Sequence, residues 1–233
     1  MEPEPDALPE GAYPVEDAVP ETLLHLRIRT MLYTLVRRYL AEQGIRALTG
    51  SEQFLYWVEG NSQRTVAPDV YVVLGVPPDR DVRTWQTWRE GKAPELAIEI
   101  VSDDVGKDYE TGPRRYAEAG VQELVIFDPF EGADRIRWQV YVRRSDGELV
   151  RTISTQADRV PSTVLGCHLR HVEEEGQPRV RLGVGAQGQQ LVPTAEEAED
   201  RERAAKEQER ALRLAAQAEL EALRRRLADD RSD

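Results

Sequence analysis

The sequence has little of several residue types, and each shortage excludes a class of protein. Its 233 residues contain one cysteine, Cys167, so an intramolecular disulfide is excluded. This usage is typical of a reducing compartment and predicts a cytoplasmic location. No apolar run approaches the roughly 20 residues that cross a bilayer, so we expect no membrane span. The acidic, proline-rich first 20 residues have no cationic start and no apolar segment, so we expect no secretory signal.

Positive charge is also in short supply. Against 43 Asp and Glu residues stand 31 Lys and Arg residues, which gives a formal net charge of −12. As a bulk value this argues against a nucleic-acid partner, because Lys and Arg drive phosphate binding. However, residues 1–21 carry seven acids and no base, and residues 193–233 carry twelve acids and nine bases. Residues 22–192 therefore have a net charge of only −2, which is compatible with a phosphate-bearing ligand.

Composition divides the chain into three segments. The composition of residues 1–19 predicts an acidic flexible arm, and that of residues 20–192 predicts one domain. Residues 193–233 have no glycine, and no proline after Pro193, which predicts a long charged helix. Its larger apolar residues recur at three- and four-residue steps, as in a coiled coil: Leu212, Ala216, Leu220, Leu223 and Leu227. A solvated single helix and a self-association helix both agree with this pattern.

Hydrophobic periodicity predicts an α/β arrangement for residues 20–192. An amphipathic helix is predicted from Pro20 to about Gly44. Strands are predicted at 45–49, 53–58, 66–74, 95–101, 124–127 and 136–142, with weaker strand signals from 145 to 192. Residues 107–120 predict a crossover helix between two of these strands, which is the pattern of a βαβ unit with parallel strands.

Two acidic residues stand where strands are otherwise apolar. Asp69 follows Pro68 at the start of an apolar run, and Glu99 lies between Ile98 and Ile100. A carboxylate among aliphatic side chains is costly to desolvate unless a cation or hydrogen bonds compensate. Two such acids on neighbouring strands make a site for a hard divalent cation. Lys107 follows, and an ammonium there is suited to steering a water and neutralising a phosphate.

These residues carry a resemblance to a known family. Pro68–Asp69, PELAIEIVS at 94–102 and KDYETGPRRYAEAGVQELVIFDP at 107–129 resemble the bacterial putative restriction endonuclease family of the PD-(D/E)XK nuclease superfamily. The resemblance covers roughly residues 20–190. It implies a restriction-endonuclease-like α/β core with a central mixed sheet flanked by helices. It also implies a DNA endonuclease in which Asp69 and Glu99 hold Mg²⁺ or Mn²⁺ and Glu52 is a further metal or water contact.

The sequence departs from the family pattern at two positions. The simple motif places a lysine two residues after Glu99, where this sequence has Val101. In much of the family a lysine stands four residues before the tyrosine that matches Tyr116, and here that residue is Gly112, followed by Pro113. We interpret Lys107 as the residue that orients the nucleophile instead, with a solvated loop lysine paired with Asp104 or Asp108 as the alternative. The departure also leaves a second interpretation: an inactive nuclease-like fold that acts as a binding or assembly module through its C-terminal helix.

Other residues receive simpler interpretations. Arg114 and Arg115 are interpreted as contacts to the DNA backbone, with exposed helix positions as the alternative. A homodimer is expected, since it is the natural way to cut both DNA strands, and the C-terminal helix is its candidate interface. His168 and His171 are three residues apart, but no third metal-binding residue completes a zinc-ligand pattern with them. We therefore interpret both as structural rather than zinc-binding.

Overall fold

The structure is a computed structural model, and it describes residues 22–102 and 107–229. The predicted acidic arm at residues 1–19 lies outside the described residues. Two compact units divide the chain between Val192 and Pro193. The helices are α1 (Leu23–Glu42), α2 (Thr87–Glu90), α3 (Gly112–Ala119), which a π-helical turn (Lys107–Thr111) precedes, and α4 (Ala195–Asp229). The second unit contains α4, and no described helix is long and apolar enough to cross a membrane.

A six-stranded sheet forms the centre of the first unit. Its strands, in spatial order, are β1 (Ala47–Gly50), β4 (Val70–Leu74), β6 (Leu96–Ile100), β7 (Glu123–Phe127), β8 (Trp138–Arg143) and β9 (Leu149–Thr155). β6 and β7 are parallel, and the other neighbouring pairs are antiparallel. The π-helical turn and α3 connect the parallel pair, as the βαβ prediction required. The predicted α/β class with a central mixed sheet and a long C-terminal helix is confirmed.

Helix α1 packs on one face of this sheet. Thr22 caps it, because the Thr22 hydroxyl accepts the backbone N–H of His25 at 3.2 Å, and Gly44 follows its end with φ +68°. The buried face of α1 repeats every three or four residues: Ile28, Leu32, Leu35, Val36, Tyr39 and Leu40. These side chains pack against the central sheet and against a second sheet of β10 (Arg159–Ser162), β11 (Cys167–Glu174), β12 (Gln177–Val184) and β13 (Gln190–Leu191).

Helix α3 covers the other face of the central sheet. Tyr116 and Ala119 of α3 belong to a second core cluster with Tyr71, Ala97 and Ile126 of the sheet. A small three-stranded sheet of β2 (Leu55–Tyr56), β3 (Thr65–Val66) and β5 (Trp85–Gln86) contributes to the same cluster. The central sheet is therefore covered by α1 on one face and by α3 on the other.

The single strand predicted at residues 66–74 is wrong. The structure divides it into β3 of the small sheet and β4 of the central sheet. Pro68 explains the division, because proline has no N–H to donate to a strand ladder and restricts the backbone of the preceding Ala67. The chain thus changes sheets at Ala67–Pro68–Asp69, and this places Asp69 at the entry to β4.

Candidate active site

The structure brings the two predicted acids, Asp69 and Glu99, to neighbouring positions. β4 and β6 are antiparallel with Val70 opposite Ile98, and one further step in this register sets Asp69 opposite Glu99. The backbone N–H of Ile100 donates to Asp69 Oδ2 at 2.7 Å. The entry to β4 and the end of β6 therefore place Asp69 and Glu99 at neighbouring backbone positions of the central sheet.

Asp69 is held from the α1 side. Its residue surface is only 6% exposed, and its Oδ1 lies 2.5 Å from Nε2 of His25 on α1. The Ser51 hydroxyl donates to the backbone carbonyl of Asp69 at 2.6 Å. A carboxylate this deeply buried needs such partners, because an unpaired one is expensive to desolvate. Both the carboxylate and the backbone of Asp69 are thereby held in one orientation.

Glu99 is held from the α3 side. The hydroxyl of Tyr116 on α3 donates a hydrogen bond to Glu99 Oε1. Tyr116 is 1% exposed and packs on the sheet, so its hydroxyl is a rigid donor. The sequence analysis did not link Tyr116 to Glu99. The two carboxylates are thus oriented by helices on opposite faces of the same sheet.

A cavity of about 160 Å³ lies beside Glu99. Its walls come from β3, β6, β7, the π-helical turn and α3, together with Phe54. Val66, Leu124 and Ile126 supply apolar wall, and Gly112 contributes no side chain to fill the space. Arg115 also lines the cavity, and its Nη1 donates to the carbonyl of Thr65 at 3.4 Å. The cavity therefore combines a carboxylate and a guanidinium with an apolar wall.

Glu52 lies at the same corner as Asp69 but pairs with an arginine. Its carboxylate is 50% exposed and lies 3.0 Å from Nη2 of Arg29, and its N–H donates to the Pro68 carbonyl at 2.9 Å. Its φ of +54° is in the left-handed region, which costs a non-glycine residue about 1–3 kcal/mol. Arg29 also donates to the Ser51 hydroxyl at 3.1 Å. These bonds fix the Ser51–Glu52 turn against the entry to β4.

His25 and Arg29 are site residues that the sequence analysis missed. They are four residues apart, so one face of α1 presents both to the Asp69 corner. That spacing was visible in the sequence, as a histidine and an arginine one turn apart on a helix. It did not reveal which strand the helix face would meet, and so it could not connect either residue to Asp69.

The remaining predicted site residues belong to the π-helical turn and to α3. Lys107 begins the π-helical turn, but its side chain and residues 103–106 lie outside the described part of the chain. Its assignment to the site therefore stays a prediction. Arg114 is exposed on α3 and, unlike Arg115, is not part of the cavity wall.

A buried acid secures the π-helical turn. Asp128 follows β7 directly, and its side chain is 0% exposed. Asp128 accepts the Tyr109 hydroxyl at 2.6 Å, the Phe130 N–H at 2.9 Å and Nη1 of Arg135 at 3.0 Å. Burial, and next the hydrogen bond to Asp128, raise the pKa of Tyr109 to about 12. Asp128 thus directly follows β7 and ties the turn that begins with Lys107 to this strand.

The side chains at the site are compatible with a hard divalent cation. Among residues 22–102 and 107–229, no three His, Cys, Asp or Glu side chains form a group that could hold a metal ion. Mg²⁺ needs fewer protein ligands than that, since it uses one or two carboxylates and completes its octahedron with waters and substrate phosphates. Asp69 and Glu99 are the two carboxylates that the sequence analysis assigned to such an ion.

Fold and site together define a class: a mixed α/β protein with paired carboxylates where two central strands meet. The model of the Uma2 family, described as "Putative restriction endonuclease", matches residues 15–170, more than half of the chain. The chain belongs to this family, which confirms the resemblance found in the sequence.

The chain is also similar to the crystal structure of a putative nuclease belonging to DUF820 from Anabaena variabilis ATCC 29413. That likeness has 19% identity and a TM-score of 0.44, over 64% of this chain and 76% of the other. A search of curated proteins finds no match.

Proposed function

We propose that the protein is a metal-dependent endonuclease that hydrolyses phosphodiester bonds in DNA. One observation carries this proposal. Asp69 directly precedes β4, one further step in the register sets it opposite Glu99 of β6, and the Ile100 N–H donates to the Asp69 carboxylate. Membership of a family described as restriction endonucleases supports a nuclease. The near-neutral charge of residues 22–192 agrees with weak, metal-dependent DNA binding.

Each residue of the site has a defined role in this proposal. Asp69 and Glu99 would hold Mg²⁺ or Mn²⁺, with Glu52 as a further contact to the ion or its water. When bound, the ion supplies Lewis-acid stabilisation of phosphate charge and makes water more acidic. Tyr116 orients the Glu99 carboxylate, and the Ile100 N–H orients that of Asp69. Lys107 orients the attacking water.

Plasmid nicking tests this function. Supercoiled plasmid is incubated with the full chain and Mg²⁺ or Mn²⁺, beside Asp69→Asn and Glu99→Gln, which keep side-chain shape and remove charge. Because each carboxylate is assigned to the ion, either substitution should lower the nicking rate at least about 100-fold. Glu131→Gln is the matched control, since Glu131 has a 90% exposed side chain and lies outside the site.

The opposite result would support the inactive alternative. Calorimetry compares metal binding by the parent protein and by Asp69→Asn. If the parent does not nick DNA with either ion, and the two proteins do not differ in metal binding, the endonuclease proposal is wrong. DNA or protein binding without cleavage would then assign the chain to a binding or assembly role.

The C-terminal helix is the proposed interface of a homodimer. Leu212 and Leu220 of α4 lie on the predicted seam and are 64% and 48% exposed. Because burying exposed leucines drives association, Leu212→Glu/Leu220→Glu should convert dimer to monomer in light scattering after size exclusion. Leu214→Glu is the control, since Leu214 is 57% exposed but two residues away from Leu212 and off the seam. A parent protein that is already monomeric would contradict the dimer.

The cytoplasmic location stays a prediction.

A further inference from the structure

A phosphodiesterase site built from two carboxylates has an electrostatic problem. Asp69 and Glu99 repel a phosphodiester, and negative charge on the phosphate oxygens must be stabilised as the reaction proceeds. A protein cation near the phosphate supplies part of this stabilisation in addition to a metal ion. The arginines around the site are therefore worth comparing by position and by existing partners.

Two arginines near the site have strong existing partners. Arg29 has a 13% exposed side chain and is paired with Glu52 at 3.0 Å and with Ser51 at 3.1 Å. Arg64 lies 2.6 Å from Glu118. Moving either guanidinium to a substrate would break an ion pair. For Arg29 the pair is largely buried on the arginine side, so its loss would be costly.

Arg115 differs from both in its surroundings. It is exposed, it lines the cavity that also contains Glu99, and its bond to the Thr65 carbonyl is long, at 3.4 Å. A hydrogen bond of this length to an uncharged carbonyl is weak, so exchanging it for a shorter bond to an anionic phosphate oxygen is favourable. Gly112 lies one helical turn before Arg115 and leaves the intervening space open.

We propose that Arg115 is the catalytic cation of this site and binds the scissile phosphate in the cavity beside Glu99. Its planar guanidinium donates two parallel hydrogen bonds to phosphate oxygens, the geometry for which arginine is suited. This inference rests on the proposed function and goes beyond it. It separates Arg115 from Arg114, which has the same charge on the same helix but does not line the cavity.

The test compares these adjacent arginines. Single-turnover cleavage of a short labelled duplex is measured for the parent and for Arg115→Gln, Arg115→Lys and Arg114→Gln. Arg115→Gln should lower the rate about 100-fold, the usual loss for a donor that stabilises transition-state charge. Arg115→Lys should retain an intermediate rate, since it keeps the charge and loses the fork. Arg114→Gln removes the same charge, and its rate loss should be at least tenfold smaller.

A structural role for Arg115 is excluded by chemical rescue. Guanidinium ion at low millimolar concentration should restore part of the rate of Arg115→Ala, because it can occupy the vacated cavity. It should not restore Glu99→Gln. Unfolding midpoints in urea, measured for all variants, identify any rate loss that comes from misfolding. Equal rate losses for Arg114→Gln and Arg115→Gln, or an unchanged rate for Arg115→Gln, would overturn the assignment.

A second measurement separates this inference from the proposed function. DNA binding is followed by fluorescence anisotropy with Ca²⁺ at several salt concentrations. Arg115→Gln should reduce the slope of log Kd against log salt by about one, as loss of one phosphate contact does, and Arg114→Gln should reduce it less. If the parent does not cleave DNA, the proposed function fails, and this slope alone decides whether Arg115 binds phosphate. Equal slopes for the two variants would then overturn the inference.

Discussion

The bonds around Asp128 make a quantitative prediction about stability. Tyr109→Phe deletes the hydroxyl that donates to Asp128 at 2.6 Å and accepts the Ile136 N–H at 2.9 Å. Asp128→Asn removes the charge that pairs with Arg135 at 3.0 Å. Both changes act on one buried network that joins the π-helical turn to the end of β7.

The expected losses follow from burial and charge. A hydrogen bond to a charged group contributes about 1.5–3 kcal/mol, so Tyr109→Phe should cost about 2 kcal/mol of unfolding free energy. Removing one partner of a buried ion pair costs about 3–5 kcal/mol. Arg135 retains 21% exposure of its side chain, so Asp128→Asn should lie at the lower end, about 3 kcal/mol. Because Asp128→Asn also weakens the bond that Tyr109→Phe deletes, the double variant should lose about 1–2 kcal/mol less than the sum.

Urea unfolding followed by circular dichroism measures these values. Tyr33→Phe is the matched control, since Tyr33 is a half-buried tyrosine on α1 outside this network, and it should cost about 0.5 kcal/mol or less. If the losses from Tyr109→Phe and Asp128→Asn instead add within about 0.5 kcal/mol, the two groups are not coupled and the reasoning is refuted.

Three further predictions concern the core and its titrating groups. Gly50→Ala should unfold the protein at lower urea, because its Cβ would overlap the buried Tyr71 ring; an unchanged midpoint contradicts this. Burial raises the pKa of Cys167 to about 12, so a thiol reagent at pH 8 should modify the native protein far more slowly than the urea-unfolded protein. Burial, and next the charge of Arg137, lower the pKa of His171 below its usual range. Protonating His171 is then harder in the folded state than in the unfolded state. Stability should fall as pH drops below about 6.5, and His171→Gln should reduce that fall when the melting temperature is followed from pH 7.5 to 5.

Much of the fold could be predicted from local sequence patterns. The first helix, the βαβ unit and the long C-terminal helix were predicted because periodicity and glycine or proline signals operate over short stretches. The small sheet was not predicted as a separate element. Its strands are only two residues long, and β3 was not separated from β4 in the sequence, although Pro68 divides them in the structure.

The candidate site, too, could be predicted only in part from the sequence. Asp69 and Glu99 could be selected because each is an acid in an apolar strand, and such an acid requires compensation. Their partners could not be selected. His25 comes 44 residues before Asp69, and Tyr116 comes 17 residues after Glu99, and no local rule links residues so far apart.

The sequence by itself determined the family, the class of fold, the two carboxylates and the unequal distribution of charge, because all of these are local in composition or pattern. Only the tertiary structure decided which helices orient the two carboxylates. It also showed that Glu52 pairs with Arg29 and that Arg115, rather than its neighbour, lines the cavity beside Glu99. The physical reason is that adjacent helix residues point in directions about 100° apart, so packing selects one of two identical charges for the site.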